Sequence, residues 1–217
     1  MVRGLLLHGL GGTAATMQPL VDGLMAGGHT VHAPTLPGHG TVPEALAGVG
    51  WSDWMSAAQE WPADVIIGQS MGASLALAIA SRRGCRAVVA INPPAASPDA
   101  VDGLEWRQSR GHEWVDGPPL ADGEVGYTRL PITALLAMAN GVVATDLSAV
   151  TCPVLLVTSA LDEVVDPAGA DVVAARVSGP VNRITLARSG HVATLGPDLD
   201  ELLAALVGFI SEAAGQS

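Results

Sequence analysis

Short apolar runs alternate with segments of helical length along most of this chain. Strands are predicted at residues 4–8, 30–33, 65–69, 87–91, 154–158 and 182–186, and helices at 17–26, 52–59, 71–82, 167–177 and 199–212. Runs that are apolar at consecutive positions cannot keep one face in water. Separated by helices, they predict a parallel sheet covered on both sides. The fold class is therefore α/β, with about six strands. In such sheets a ligand site lies beyond the carboxyl ends of the strands.

One segment breaks the alternation. Residues 92–151 are rich in Pro, Gly and Asp and hold Trp106, Trp114, Tyr127 and a predicted helix at 133–140. A connection of this length inside a compact domain points to a role over a site. The reading is one domain over 1–217, with 93–150 as a small cap inserted after the fourth strand. Trp106, Trp114, Leu135 and Met138 are the expected apolar lining of its pocket.

The most specific chemistry lies at residues 68–72, which read Gly-Gln-Ser-Met-Gly. This G-x-S-x-G follows an apolar β-branched run and opens an Ala/Leu-rich one. Strand, tight turn and helix form the setting in which such a serine becomes a nucleophile. Gly68 and Gly72 are small because a Cβ at either would strike the adjoining strand or helix. Ser70 is left at the carboxyl edge of the sheet in strained backbone geometry.

A serine nucleophile needs a base, and the base an orienting acid. Of six histidines, only His112 and His191 follow Ser70. His112 falls in the irregular segment and is read as solvent-facing. His191 follows the last strand in a flexible Ser-Gly-His turn and is the expected base. Asp162, Glu163 and Asp166 lie just beyond the 154–158 strand. Asp166 precedes Pro167 and a helix, so its carboxylate is expected to cap that helix, and Glu163 is read as pointing away. That leaves Asp162 as the orienter. The oxyanion donors are expected to be the N–H groups of Met71 and of Leu10, in the His8-Gly9-Leu10-Gly11-Gly12 loop after the first strand. His8 is read as holding that loop.

Composition narrows the alternatives. At 217 residues, 49% hydrophobic and 14% charged, the chain is globular. All ten basic residues are arginine, so Schiff-base, P-loop-lysine and Ser-Lys chemistries are excluded. A net charge of −11 argues against nucleic acid and anionic membrane surfaces as partners. Residues 9–14 fit a dinucleotide fingerprint, but the next strand ends His32-Ala33-Pro34 without the acid that would hold a ribose. No zinc motif occurs, and His29 and His32 would face opposite sides of a strand; no pair of carboxylates is singled out for glycosidase work. Neither cofactor nor metal is expected. Cys85 and Cys152 lack a ligand-like neighbour in sequence and are read as reduced, buried and structural. Met1-Val2-Arg3 runs directly into a strand with no cleavage signal, and no apolar run has membrane-spanning length. The expectation is a cytoplasmic monomer or weak homodimer with a small-molecule substrate and no stable membrane association.

Six motifs together carry a family resemblance. LLLHGLGG at 5–12, HAPTLPGHG at 32–40, WSDW at 51–54, GQSMG at 68–72, CPVLLVTSALDEVVDP at 152–167 and SGHVATL at 189–195 occur in this order. The chain resembles the α/β-hydrolase superfamily, in its bacterial carboxylesterase and monoacylglycerol-lipase branch. The resemblance implies Ser70, Asp162 and His191 as triad, Leu10 and Met71 as oxyanion donors, and ester hydrolysis through an acyl-enzyme without a cofactor. In such proteins the PGHG loop borders the site, and His39 within it is read as structural. Relatives carry a further strand pair ahead of the HG-loop strand, so a smaller sheet is expected here. Uncharged esters of short to medium acyl chain are the expected substrates. Thioesterase, lactonase and perhydrolase reactions are alternatives on the same residues, as is a non-catalytic small-molecule-binding protein on a hydrolase scaffold.

Overall fold

The computed structural model describes residues 1–95, 97–117, 119–120 and 122–215. Six parallel strands form the central sheet in the order β2-β1-β3-β4-β7-β8. They are β1 (Arg3–Leu7), β2 (Thr30–His32), β3 (Val65–Gln69), β4 (Ala87–Ile91), β7 (Val154–Ser159) and β8 (Val181–Leu186). β1 pairs with β3 with Leu5 opposite Ile66, and β4 with β7 with Val89 opposite Leu155. All six match the predicted strands to within one residue at either end.

The period-2 geometry of these strands builds two cores. Leu5, Leu7, Ile66, Val88 and Leu156 point to one side of the sheet, and Leu6, Ile67, Val89, Leu155 and Val157 to the other. Helices α1 (Gln18–Ala26) and α7 (Leu199–Gly215) close the second core through Leu20, Leu24, Leu202, Leu206 and Ile210. The first is closed by α2 (Trp51–Gln59), α3 (Met71–Arg83) and α6 (Ala168–Arg176). Residues 71–80 of α3 are buried on every side, which explains its run of Gly, Ala and Leu in place of an amphipathic stripe. Within this sheet, exposed positions fall on the edge strands β2 and β8, and otherwise only at Arg3, the first residue of β1. There the expectation of strands apolar on both faces does not hold, because nothing packs beyond an edge.

Between β4 and β7 the chain makes a more ordered excursion than its composition suggests. It forms α4 (Pro98–Ser109), an antiparallel pair β5 (Trp114–Asp116) and β6 (Arg129–Pro131), and α5 (Ile132–Val143). Only α5 was expected, and it is longer than residues 133–140. The start of α4 was nonetheless written in the sequence. Ser97 accepts a hydrogen bond from the Ala100 N–H at 3.2 Å, and Pro98 takes the first helical position. α5 sits close against α2, since a Cβ on Gly141 would lie 2.0 Å from the Trp51 ring. Among the described residues, no helix is long and apolar enough to cross a membrane.

The cysteines depart from the sequence reading. Cys85 and Cys152 are half-buried and face each other, with sulfurs 3.6 Å apart. Adjacent parallel strands bring together two residues that have no neighbour in sequence.

Candidate active site

Four loops at the carboxyl ends of β1, β3, β7 and β8 converge on one cavity of about 440 Å3. Ser70 forms the turn between β3 and α3 with φ 55° and ψ −121°, a left-handed conformation costly for a residue with a Cβ. Its backbone is fully committed: its N–H donates to the Ile91 carbonyl at 2.9 Å, and its carbonyl accepts from Ala73 and Ser74. Two glycines permit the turn. A Cβ on Gly68 would lie 2.0 Å from the Gly72 carbonyl oxygen, and one on Gly72 would lie 2.0 Å from that of Leu7. Neither backbone atom can yield.

Asp162 and His191 meet across the turns after β7 and β8. His191 Nδ1–H donates to the Asp162 carboxylate, 2.9 Å from Oδ2 and 3.1 Å from Oδ1. The carboxylate also accepts the Val164 and Val165 N–H groups at 2.8 and 2.9 Å. Burial opposes ionisation of Asp162, whose side chain is 3% exposed, but these hydrogen bonds outweigh it and hold its carboxyl below the usual value. The carboxylate thus fixes the tautomer of His191 with the proton on Nδ1 and the lone pair on Nε2. Asp166 instead accepts the Ala168 N–H at 2.9 Å at the start of α6, and Glu163 is exposed at the cavity wall.

The loop after β1 passes directly over Ser70: a Cβ on Gly9 would lie 3.2 Å from the Ser70 Cβ. This brings Leu10 to the same cavity as Ser70 and His191. His8 anchors the loop from below. Its Nδ1–H donates to the Gly9 carbonyl at 2.8 Å, and its Nε2 accepts the Leu36 N–H at 3.0 Å. Burial, then the neighbouring His39, lowers its pKa to about 3, so the ring is neutral. His39 is also buried, with its own pKa lowered by burial, and its Nδ1–H reaches the Pro37 and Leu36 carbonyls. Trp54 of the WSDW motif donates to the Pro37 carbonyl at 3.0 Å.

The excursion forms the other side of the cavity. Leu135 and Met138 of α5 line it together with Leu130, Leu161 and Tyr127. Trp106 and Trp114 do not. Trp106 is 59% exposed beside Arg110, and Trp114 lies under the Arg129 guanidinium, 4.4 Å from its centre. Both rings are engaged by arginines of the excursion itself, which corrects the expectation that they face the site. His112 is exposed, as read from sequence. Among the described residues, no group of three or more His, Cys, Asp or Glu could hold a metal.

Two residues here carried no signal in sequence. Tyr127 donates its hydroxyl to the Gly38 carbonyl and accepts the Thr41 N–H, while its own N–H donates to Gly11. It therefore pins the excursion to the loop after β1 and to the loop after β2. Asn92, at the end of β4, is buried with φ 46° and bonds to the strands and turns that carry Asp162 and His191. A Tyr in an irregular segment and an Asn after a strand are unremarkable until the loops they join are known.

A parallel sheet with a serine in a strained strand–helix turn, on one cavity with a carboxylate-held histidine, defines the class of proteins to which this one belongs. Residues 5–205 match the model of the alpha/beta hydrolase family, and the chain is a member of that family. It is 31% identical to a thermostable monoacylglycerol lipase of Bacillus sp. (strain H-257), over 97% of this chain and 91% of that protein. A solved structure from work on LipS and LipT, two metagenome-derived lipolytic enzymes, superposes with a TM-score of 0.85 at 27% identity, covering 97% and 93% of the two chains. The monoacylglycerol lipase of Paleococcus ferrophilus shares the fold, with a TM-score of 0.72 at 18% identity over 97% and 94%.

Proposed function

We propose that Ser70, His191 and Asp162 act as nucleophile, base and orienting acid in the hydrolysis of carboxylic esters, with Leu10 and Met71 N–H groups as oxyanion donors. The chain is a carboxylic ester hydrolase of the lipase/esterase type, in keeping with its family and with its identity to a monoacylglycerol lipase over nearly its full length. The observation that carries the assignment of residues is the Asp162–His191 pair beside a strained Ser70 on one cavity.

The geometry supports a direct route. With Nδ1–H bonded to Asp162, His191 presents the Nε2 lone pair for the Ser70 proton as Ser70 attacks the ester carbonyl. The developing oxyanion would be held by the Leu10 and Met71 N–H groups, Met71 being at the positive end of the buried helix α3. The imidazolium, stabilised by Asp162, returns its proton to the departing alcohol. Water activated by the same ring then releases the acid from the acyl-enzyme.

Residues 93–150 act as a cap whose α5 face, Leu135 and Met138, receives the apolar part of the substrate. The cavity falls within the range of small-molecule pockets, and Leu130, Leu135, Met138 and Leu161 suit a short to medium acyl chain. Glu163 and Glu124 are the charged side chains among its described lining residues, which disfavours anionic substrates such as acyl-CoA. The protein is expected to act in the cytoplasm on small-molecule esters, as a monomer or weak homodimer and without nucleic acid.

A fluorophosphonate probe tests the assignment: wild type should be labelled, and Ser70→Ala should not. A folded, unlabelled wild type would mean the cavity binds without catalysis. A chain-length series of nitrophenyl esters run beside acyl-CoA thioesters should peak at short or medium acyl groups. Faster turnover of a thioester than of any ester would replace the esterase reading with a thioesterase.

A further inference from the structure

Cys85 and Cys152 take no part in the chemistry above. They are 67 positions apart in sequence, on the turns that lead into β4 and β7, yet their sulfurs are 3.6 Å apart. The sheet register explains the approach. Val88 lies opposite Val154, and its N–H donates to the Pro153 carbonyl at 3.0 Å. The two strands start about one strand spacing, ~5 Å, apart, and the turns just ahead of them set the two sulfurs against each other. A disulfide bridges backbones at such a spacing.

From this juxtaposition we propose that Cys85 and Cys152 form an oxidative modification site, at which a peroxide closes an intramolecular disulfide. The sulfurs must approach by about 1.5 Å to reach bonding distance. The turn ahead of Cys85 has room for that movement: Gly84 has φ 70°, and a Cβ there would meet nothing within 4 Å. Both cysteines are half-buried and so retain some access for a small oxidant.

Either sulfur can donate in the 3.6 Å contact, so either thiol can react first. In the first step the thiolate of one cysteine attacks one peroxide oxygen and the O–O bond breaks. The released hydroxide takes up a proton to leave as water, and that cysteine becomes a sulfenic acid. In the second step the other thiol attacks the sulfenic sulfur, the S–O bond breaks, and a second water leaves with the thiol proton. Two thiols are oxidised and one peroxide is reduced.

The bond would close a loop containing β4, α4, the β5–β6 pair and α5, which is the whole excursion. It would do so at the amino ends of the strands, whereas Ser70 stands at the carboxyl ends. The bond should therefore stabilise the fold and leave the catalytic site unchanged. For a loop this long the gain in Tm is up to about 10 °C.

The test is wild-type protein treated with hydrogen peroxide, then digested and mapped without reductant. The expected result is loss of two hydrogens from the intact mass, a linked Cys85–Cys152 peptide, and a raised Tm that dithiothreitol reverses. Cys85→Ser should instead trap Cys152 as an oxygenated product. Oxygen added to either cysteine of the wild type without a link, a link between two copies, or thiols left unchanged would each overturn the proposal. These readouts need no substrate, so they stand apart from the ester-hydrolase assignment.

Discussion

The side-chain amide of Asn92 donates to the backbone carbonyl of His191 at 2.9 Å. The same Nδ2 group donates to Ser159 Oγ at 2.9 Å, and Oδ1 accepts the Ser159 N–H at 2.8 Å. Ser159 in turn accepts the Asp162 N–H through its carbonyl. One buried amide therefore sets the turn carrying His191 against the turn carrying Asp162. Its φ of 46° is a conformation that Asn tolerates better than most residues.

Removing that amide should separate geometry from strain. Asn92→Gly keeps the left-handed backbone accessible but leaves the His191 carbonyl without its donor, at a cost of about 1–3 kcal/mol. Esterase kcat should fall roughly 10- to 100-fold with KM little changed. Asn92→Ala adds backbone strain and should also lower Tm. Retention of full kcat in Asn92→Gly would show that the two turns hold their positions without it.

Strain at Ser70 predicts a trade between stability and activity. Ser70→Gly relieves a backbone conformation costing about 1–3 kcal/mol and should abolish hydrolysis while matching or exceeding the wild-type Tm. Ser70→Ala should be equally inactive without that gain. A lower Tm in Ser70→Gly, measured by calorimetry, would show the turn to be unstrained.

Chain-length preference should respond to α5 and not to α4. Met138→Ala enlarges the cavity wall and should move the nitrophenyl-ester optimum to longer acyl groups. Trp106→Ala removes an exposed ring stacked on Arg110 and should leave kcat/KM within about twofold. A shifted optimum in Trp106→Ala would return that residue to the substrate path.

Stability should decline with acidity in two separate windows. His8 has a folded pKa of about 3 against an unfolded value near 6.5, so between them the unfolded chain binds more protons. Its contribution is complete above about pH 6.5 and is lost as pH falls, by up to about 1.4 kcal/mol per unit. His39, lowered by burial, acts in the same direction. Asp162 has its pKa lowered despite burial, by hydrogen bonds from His191, Val165 and Val164, so its contribution is lost only below about pH 4. Urea midpoints should therefore drop between pH 7.5 and 5, with a shallower slope in His8→Asn. A flat profile over that range would mean that the two rings ionise freely in the fold.

The elements most legible in sequence were those whose pattern is local. The β3 strand, the GQSMG turn and the α3 helix follow from a β-branched run, two obligatory glycines and an Ala/Leu stretch, and each was placed to within a residue. Asp166 was separable from Asp162 because a carboxylate before Pro167 is a helix-cap signal. The excursion was legible as an interruption holding one helix, and its β5–β6 pair was not. Its tryptophans were assigned to the pocket on hydrophobicity, but Trp106 and Trp114 pair with two arginines of the excursion, and cation–π pairing leaves no sequence period.

By itself the sequence determined the alternation of strands and helices and the strained position of Ser70, and it singled out Asp162 and His191 as candidates to act with it, because backbone sterics and hydrophobic periodicity operate over a few neighbours. Only the tertiary structure decided that Tyr127 and Asn92 tie separate loops together, that Leu130 and Leu161 line the cavity in place of the tryptophans, and that Cys85 faces Cys152. Those relationships depend on strand order and register, which place side by side residues that the chain keeps tens of positions apart.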